Sequence, residues 1–234
     1  GIDHKPTSSK DPYALRRSAL GVIRILLENN KEFKLKDLLN YSSNLYKEQG
    51  FDFSNKTLHK DLINFFIERL KNYMREKNIR PDIIEASINS NGINNVIKVY
   101  KKALILNKLI NKEIGQTIIS CYKRASNILD HELKNQELEL SDNTDPGLFK
   151  NDFEKNLYKK IHDLRKYFTS VNKDENYELS LSNLAESKST LFDFFDNVMV
   201  KDEDKAIQKN RLELLQMLCK TFDNYLNFSN IESS

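Results

Sequence analysis

Apolar residues recur along most of this chain at the three- and four-residue spacing of amphipathic helices. No segment shows a convincing two-residue alternation typical of a half-buried strand. Long helices are predicted at residues 12–28, 34–47, 56–77, 96–109, 112–133, 152–168, 177–195 and 204–225. A further, short helix is predicted to begin near Pro81. Only 6 glycines and 4 prolines interrupt the 234 residues, which disfavours folds with many turns. The predicted fold is all-α, an antiparallel helical bundle with short loops.

Two segments interrupt this pattern and suggest how the chain is organised. Residues 1–10 are predicted to form a tail or linker. Residues 89–95 contain Gly92 and four asparagines, a composition that favours a break between helices. We therefore consider a division of the bundle into two sub-bundles near 89–95. Because the chain begins with Gly1, we expect it to be a piece of a longer protein.

The net charge of +3 is too small to indicate a nucleic-acid partner by itself. Lysine, asparagine and isoleucine are abundant and have AT-rich codons, so we attribute much of the lysine content to genome bias rather than to binding. Arginine is more informative, since only nine are present and six lie in the first 80 residues. Its planar fork suits phosphate and guanine.

Two arginines fall on predicted apolar helix faces. Arg69 lies within the apolar arc of the helix at 56–77, and Arg211 has the same placement in the last helix. A cation there must pair with a carboxylate or extend past its apolar stem to solvent. We interpret both as structural ion pairs, with Asp196 or Asp204 as candidate partners of Arg211. A ligand-facing role is the alternative for each.

Arg75 and Arg80 lie with Tyr73 and Lys77 at the end of the helix at 56–77 and in the turn after it. Cations at a helix C-terminus are favoured by the helix dipole alone. Cations beside an aromatic ring equally suit contact with single-stranded RNA.

Lys123, Arg124 and Asn127 lie outside the apolar arc of the helix at 112–133. Arg124 and Asn127 are three residues apart and therefore adjacent on one face. Arginine supplies only donors, whereas the asparagine amide offers a donor and an acceptor. The pair could read the edge of a base, or it could belong to a solvated helix face.

We find no catalytic or metal-binding constellation in the sequence. The four histidines show no ligand spacing with one another or with the cysteines, and phosphate-binding glycine loops and nucleophile elbows are absent. Cys121 and Cys219 are predicted to be buried free thiols of a reducing compartment. No apolar run is long enough to span a membrane.

Five segments, in order, resemble the β subunit of the heterotetrameric bacterial glycyl-tRNA synthetases. They are DPYALRRSALGVIRIL at 11–26, FIERLKNYMREKNIRPDIIEA at 66–86, YKRASNIL at 122–129, FFDNVMVKDED at 194–204 and NRL at 210–212. Together they cover nearly the whole chain. Two positions depart from the family pattern, with Asn78 where glycine is common and Lys205 where proline is common.

The resemblance implies the C-terminal region of that subunit, with a helical anticodon-binding domain similar to that of arginyl-tRNA synthetase, the DALR type. Residues 1–30 would lead in from an upstream HD-like domain, and 31–230 would form the anticodon-binding region. Members of the family recognise tRNA(Gly) and support ATP-dependent attachment of glycine. Catalysis, with ATP and Mg²⁺, belongs to the α subunit of an α2β2 assembly in the cytoplasm. This fragment would hold no cofactor, no metal and no catalytic residue.

We expect seven side chains to contact tRNA, with Arg16 and Arg17 farther from the anticodon or against the α subunit. They are Arg16, Arg17, Arg75, Arg80, Lys123, Arg124 and Asn127. The alternative is an assembly module that docks the α chain with little RNA contact of its own. Such a module should expose a contiguous apolar patch.

Overall fold

The computed structural model describes residues 11, 13–51, 57–89, 95–135, 139–141, 143–171 and 177–231. Within these ranges the chain forms ten α-helices, two short 3-10 helices and no β-strand, with one isolated bridge between Lys34 and Asn95. The predicted all-α fold is confirmed.

The helices follow one another with short connections. The α-helices are α1 (Leu15–Glu28), α2 (Leu35–Glu48), α3 (Leu58–Glu76), α4 (Pro81–Asn89), α5 (Val96–Leu109), α6 (Glu113–Asn135), α7 (Asp152–Val171), α8 (Tyr177–Ala185), α9 (Lys188–Asn197) and α10 (Lys205–Tyr225). The 3-10 helices are Pro146–Leu148 and Phe228–Asn230.

Packing divides the chain into two compact units, Gly1–Leu104 and Ile105–Ser234, which we call unit 1 and unit 2. The division falls inside α5. The asparagine-rich segment that suggests a break lies mostly outside the described residues, and the domain scheme drawn from the sequence stays a prediction.

In unit 1, α1 and α2 pack against α3. Helix α1 begins at Leu15, three residues later than predicted, because Asp11 caps it from a preceding turn. The Asp11 carboxylate accepts hydrogen bonds from the amides of Leu15 (2.8 Å) and Arg16 (3.0 Å). Ala14 takes a left-handed conformation with φ of 52° to complete the turn.

Helix α2 buries less than its pattern predicts. Leu35 is its single buried residue, while Leu45 and Tyr46 in its last turns are exposed. Tyr41 is 66% exposed. An amphipathic pattern shows that a face is apolar but does not show what covers it.

Helix α3 ends in a Schellman motif built around Asn78. Its φ of 58° lies in the left-handed region. The Asn78 amide donates to the Arg75 carbonyl (2.9 Å), and the Ile79 amide donates to the Met74 carbonyl (3.2 Å). Glycine is preferred at this position and asparagine is tolerated better than most residues, so the departure from the family pattern keeps the turn.

In unit 2, α10 is the central helix and packs against α6 and α7. Its apolar residues Leu214, Leu218 and Phe222 recur at helical spacing and are buried. Several polar residues on its other faces are buried as well, so that fourteen of its 21 residues are buried in all. A helix enclosed on several sides must satisfy these polar groups internally.

The single helix predicted at 177–195 is wrong, since the chain forms α8 and α9 with a break at Glu186 and Ser187. The Ser187 hydroxyl donates to the Leu184 carbonyl (2.5 Å), and the Ser187 amide donates to the same oxygen at 3.2 Å. Serine competes with the helix ladder through such local bonds. The break fixes the start of α9, which packs against α6 and α7.

Candidate functional site

Arg124 of α6 is stacked on an aromatic ring of α9. Its guanidinium carbon lies 4.4 Å from the centroid of the Phe195 ring. Its Nη2 donates to the Phe195 carbonyl at 3.4 Å and lies 3.7 Å from Oδ1 of Asp196. The Arg124 side chain is 44% exposed and that of Asp196 is 64% exposed. The guanidinium is thus held in one orientation while much of it stays open to solvent.

Asn127 lies on the same exposed side of α6 as Arg124. Both residues are exposed, and their spacing of three residues places them on adjacent turns. Ser120, four residues before Arg124, is exposed on the same side. Lys123 is half-buried and has interactions of its own. The structure therefore brings the donors of Arg124 and the amide of Asn127 to one accessible surface, which we call the α6 face.

Unit 1 carries a second group of cations, at the end of α3. Arg75 is exposed, and its Nη1 donates to Oδ1 of Asn72 at 2.9 Å. The Lys77 ammonium lies 5.5 Å from the centroid of the Tyr73 ring, which packs against Tyr100. The sequence predicts this grouping of cations with an aromatic ring at the end of the helix. Arg75 and Lys77 are both exposed to solvent.

Arg80 is less available than Arg75 because its fork is occupied. Its Nε and Nη2 donate to the two carboxylate oxygens of Asp82 at 3.1 and 2.7 Å. The Arg80 side chain is 30% exposed and that of Asp82 is 9% exposed. A bidentate pair of this kind orients α4 at its first turn, so an RNA phosphate would have to compete with Asp82.

Arg16 and Arg17 occupy different environments on α1. Arg16 is half-buried, with its amide capped by Asp11, whereas Arg17 and Arg24 are exposed. The exposed apolar residues Val22 and Ile25 lie on another side of the same helix. Arg16 and Arg17 belong to unit 1, whereas the α6 face belongs to unit 2.

Arg69 does not form the predicted ion pair within the described part of the chain. Its guanidinium carbon lies 5.5 Å from the centroid of the Phe65 ring, and its Nε is buried without a hydrogen-bond partner. The residue is only half-buried. A long stem beside an aromatic face lets the charged end reach solvent, which removes the need for a carboxylate.

Arg211 is the centre of a buried ion-pair network. Its Nε donates to Glu154 Oε1, and its Nη1 donates to Asp202 Oδ2 (2.7 Å) and the Met199 carbonyl (2.9 Å). The partners suggested from the sequence, Asp196 and Asp204, are wrong: Asp196 lies beside Arg124, and Asp204 accepts from the Ala206 amide at the start of α10.

Glu154 joins this network to the start of α7. Its Oε2 accepts from the amides of Lys150 (2.6 Å) and Asn151 (3.1 Å), while Asn151 Oδ1 accepts from the Glu154 amide. This is a capping box, and the completely buried carboxylate also pairs with Arg211. The network fixes the connection from α9 to α10 relative to α7.

Other buried polar residues of α10 hold the connection between α6 and α7. Asn210 accepts from the Asp145 amide (2.7 Å) and donates to the Asp145 carbonyl (3.0 Å). Glu213 accepts from the amide and the hydroxyl of Ser141. Sequence reasoning missed these roles. The sequence of α10 does carry a signal for them, since polar residues border its apolar stripe on both sides. In a helix that is enclosed by its neighbours, such residues become buried hydrogen-bonding groups.

The remaining buried titratable groups of unit 2 have a structural explanation. The Tyr122 hydroxyl donates to Asp223 Oδ2 at 3.0 Å, and burial raises the pKa of both groups. Cys121 and Cys219 are free and buried, as predicted. Burial raises the pKa of Cys121, and it raises the pKa of Cys219 to about 12, so both thiols stay protonated near neutral pH.

The described residues contain no group of His, Cys, Asp or Glu arranged to hold a metal ion. Among the described helices, none has the length and apolar character needed to cross a membrane.

Residues 118–233 match the family model of the DALR anticodon binding domain. Helices α7 to α10 and most of α6 therefore form an all-α domain of the anticodon-binding class. Residues 1–89 match the family model of the glycyl-tRNA synthetase beta subunit. The chain belongs to the glycyl-tRNA synthetase β-subunit family.

Curated relatives match over nearly the whole chain. The glycine–tRNA ligase beta subunit of Rickettsia africae is 37% identical over 226 residues, which is 97% of this chain and 32% of the relative. The beta subunit of Clostridioides difficile is 34% identical over 230 residues, or 98% of this chain and 32% of the relative. The chain thus spans about a third of the length of the curated relatives it matches.

Proposed function

We propose that this chain recognises the anticodon of tRNA(Gly) through the α6 face, as part of a glycine–tRNA ligase β subunit. One observation carries the proposal: within the DALR domain, Arg124 is oriented by Phe195 and remains open to solvent. An oriented guanidinium loses little conformational freedom when it binds.

The chemistry of the α6 face suits the bases of a glycine anticodon. Glycine anticodons share two adjacent cytosines, and each cytosine edge offers N3 and O2 acceptors and an N4 donor. Arg124 can donate to the acceptors, and the Asn127 amide oxygen can accept from N4. Anticodon bases are unstacked, so their edges are accessible to side chains.

The other cations would contact the tRNA backbone. Arg75, Arg80 and Lys123 supply positive charge that is independent of base identity, and Arg16 and Arg17 would lie farther from the anticodon or against the α subunit. Backbone contacts position an RNA and supply affinity, whereas base contacts specify it. In the whole ligase, glycine activation with ATP and Mg²⁺ would take place on the α subunit, in the cytoplasm, and this chain would contribute no catalytic residue.

Charge reversal at Arg124 tests the proposal. We expect Arg124→Glu to weaken binding of the chain to tRNA(Gly) at least about tenfold, because one base contact worth about 1–3 kcal/mol is lost. The control is Lys155→Glu on α7, which makes the same charge change at an exposed residue paired with Asp152. Filter binding or fluorescence anisotropy at fixed salt measures both. Equal affinities of the two variants would contradict a specific role for Arg124.

A second function is favoured by a separate observation on unit 1. Large apolar side chains are exposed on α1, on α2 and beside them. They are Tyr13, Leu15, Val22, Ile25, Phe33, Tyr41, Leu45, Tyr46 and Phe51. Nine of the thirteen exposed large apolar side chains of the described residues lie between 13 and 51, and such a concentration favours a protein-docking surface. Because the relatives are named β subunits, we propose that this surface docks the synthetase α subunit.

Replacement of Tyr41 and Leu45 by serine tests the docking surface. We expect the double variant to weaken association with the α subunit at least about tenfold, since two exposed apolar contacts are removed. Association can be measured by analytical ultracentrifugation, with tRNA binding by the same variant as the control. Unchanged association would contradict the assignment of this surface.

A further inference from the structure

We propose that Phe192 and Phe195 of α9 form a stacking platform for unpaired bases of the bound RNA, beside the α6 face. The inference rests on the proposed function and extends it to residues that neither the sequence analysis nor the family match assigns to binding. It makes α9, rather than α6 alone, part of the RNA-contacting surface.

The two phenylalanines share one side of α9 with a cation. Lys188, Phe192 and Phe195 are spaced by four and three residues, which places them in one row along the helix. Phe192 is 38% exposed, and Phe195 is half-buried beneath Arg124. The row therefore combines one exposed and one half-buried aromatic ring with cations at both ends.

Two contacts align this row with the exposed side of α6. The Lys188 ammonium lies 3.8 Å from Oε1 of Glu113 at the start of α6, and Arg124 lies over Phe195 eleven residues later. The two helices consequently run in the same direction at their contact. Phe192 lies between the two contacts in the same row of α9, so we place it along the exposed side of α6 that carries Arg124.

The platform is held firmly from behind. Leu191 and Phe194, four residues and one residue before Phe195, are completely buried. The Phe194 and Phe195 rings meet edge to face, with centroids 5.6 Å apart. The Val198 amide donates to the Phe194 carbonyl at 2.8 Å at the helix end. Phe195 therefore needs little reordering when it binds a ligand.

A single-stranded nucleic acid is the occupant that this chemistry favours. Aromatic rings in a row with cations bind successive bases and the phosphates between them. The carboxylates paired with the two cations, Glu113 and Asp196, have side chains that are 91% and 64% exposed, so these ion pairs exchange readily with solvent and phosphate. A protein partner would instead favour a wide apolar surface, whereas here two rings lie between two cations.

The platform and the α6 face would have different tasks. Stacking is nearly independent of base identity, because every base has an aromatic face. Phe192 and Phe195 would supply affinity for unstacked bases, while Arg124 and Asn127 would discriminate among them. Loss of Phe192 should therefore weaken binding equally for cognate and altered anticodons, whereas loss of Arg124 should reduce the preference between them.

The chain contains no tryptophan, so Phe192→Trp introduces a single fluorescent probe that keeps the aromatic face. We expect tRNA(Gly) to quench its emission over the concentration range in which binding occurs, with affinity close to that of the unsubstituted chain. Phe192→Leu, which keeps apolar bulk but not the ring, should bind about tenfold more weakly. Leu179→Trp, at a half-exposed position on α8, is the control and should not be quenched.

The outcomes separate this inference from the proposed function. If the unsubstituted chain binds tRNA(Gly) while the emission of Phe192→Trp is not quenched and Phe192→Leu binds normally, the platform is wrong and anticodon recognition by α6 stands. If an α-subunit preparation without RNA quenches Phe192→Trp equally, the row is a protein contact and the inference is overturned. If the unsubstituted chain binds no tRNA, both proposals fail. Thermal unfolding of each variant verifies that it is folded.

Discussion

Replacement of Arg211 by methionine is expected to lower the free energy of unfolding by about 3–5 kcal/mol. The change leaves the completely buried Glu154 without its cation and removes the donor to the Met199 carbonyl. A buried carboxylate that loses its partner retains its desolvation cost, which is why breaking such a pair costs more than the pair itself contributes. Urea unfolding followed by circular dichroism at 222 nm measures the effect.

Arg124→Met provides the matched control for this prediction. It removes an arginine from an ion pair whose two side chains are 44% and 64% exposed, and such surface pairs contribute about 0–1 kcal/mol. Should Arg211→Met fail to fold, Arg211→Lys keeps the charge but loses the fork that bridges Glu154 and Asp202. Equal losses for the Arg211 and Arg124 variants would contradict a central role for the buried network.

Substitution of two helical glycines by alanine is expected to have opposite effects on stability. Gly21→Ala should raise the free energy of unfolding by about 0.5–1 kcal/mol, because alanine favours the helix and a Cβ at this position meets nothing within 4 Å. Gly115→Ala should lower it by about 1–3 kcal/mol in spite of the same gain in helix propensity.

The reason for the loss at Gly115 is a close approach of backbone. A Cβ there would lie 2.3 Å from the Leu109 carbonyl oxygen and 2.7 Å from the Ile110 Cα. The turn from α5 to α6 cannot yield easily, since Gln116 Nε2 donates to the Ile110 carbonyl at 2.9 Å and the Lys112 amide donates to the Leu109 carbonyl. Parallel urea titrations of both variants make the comparison, and an increase in stability at Gly115 would contradict the described turn.

The sequence predicts the helices well where one apolar stripe faces one partner. Helix α5 covers the predicted range 96–109, and α7 begins at the predicted residue 152. An asparagine caps the start of each helix, Asn95 for α5 and Asn151 for α7. Helices α8 and α9 are harder to separate because Ser187 ends α8 through a bond to the Leu184 carbonyl, without the glycine or proline that marks most breaks.

Side-chain pairing is less predictable than the helices, because it depends on which elements meet. The spacing of Arg211 indicates an inward cation, but only the fold brings Glu154 to it from 57 residues away. At Arg69 the same spacing is met differently within the described residues, where the guanidinium lies over the Phe65 ring. At the candidate site, the sequence indicates Arg124 and Asn127, while the ring of Phe195 beneath Arg124 follows from the packing of α9 on α6.

The central claim is that this chain recognises the anticodon of tRNA(Gly), and one binding measurement tests it most directly. The chain is titrated with tRNA(Gly) and with a copy in which the two anticodon cytosines are changed, each across a series of salt concentrations. We expect tighter binding to the native anticodon, with affinity that falls as salt rises because phosphate contacts release counterions. Equally weak binding to both RNAs would contradict anticodon recognition by this chain and favour the assembly role of unit 1.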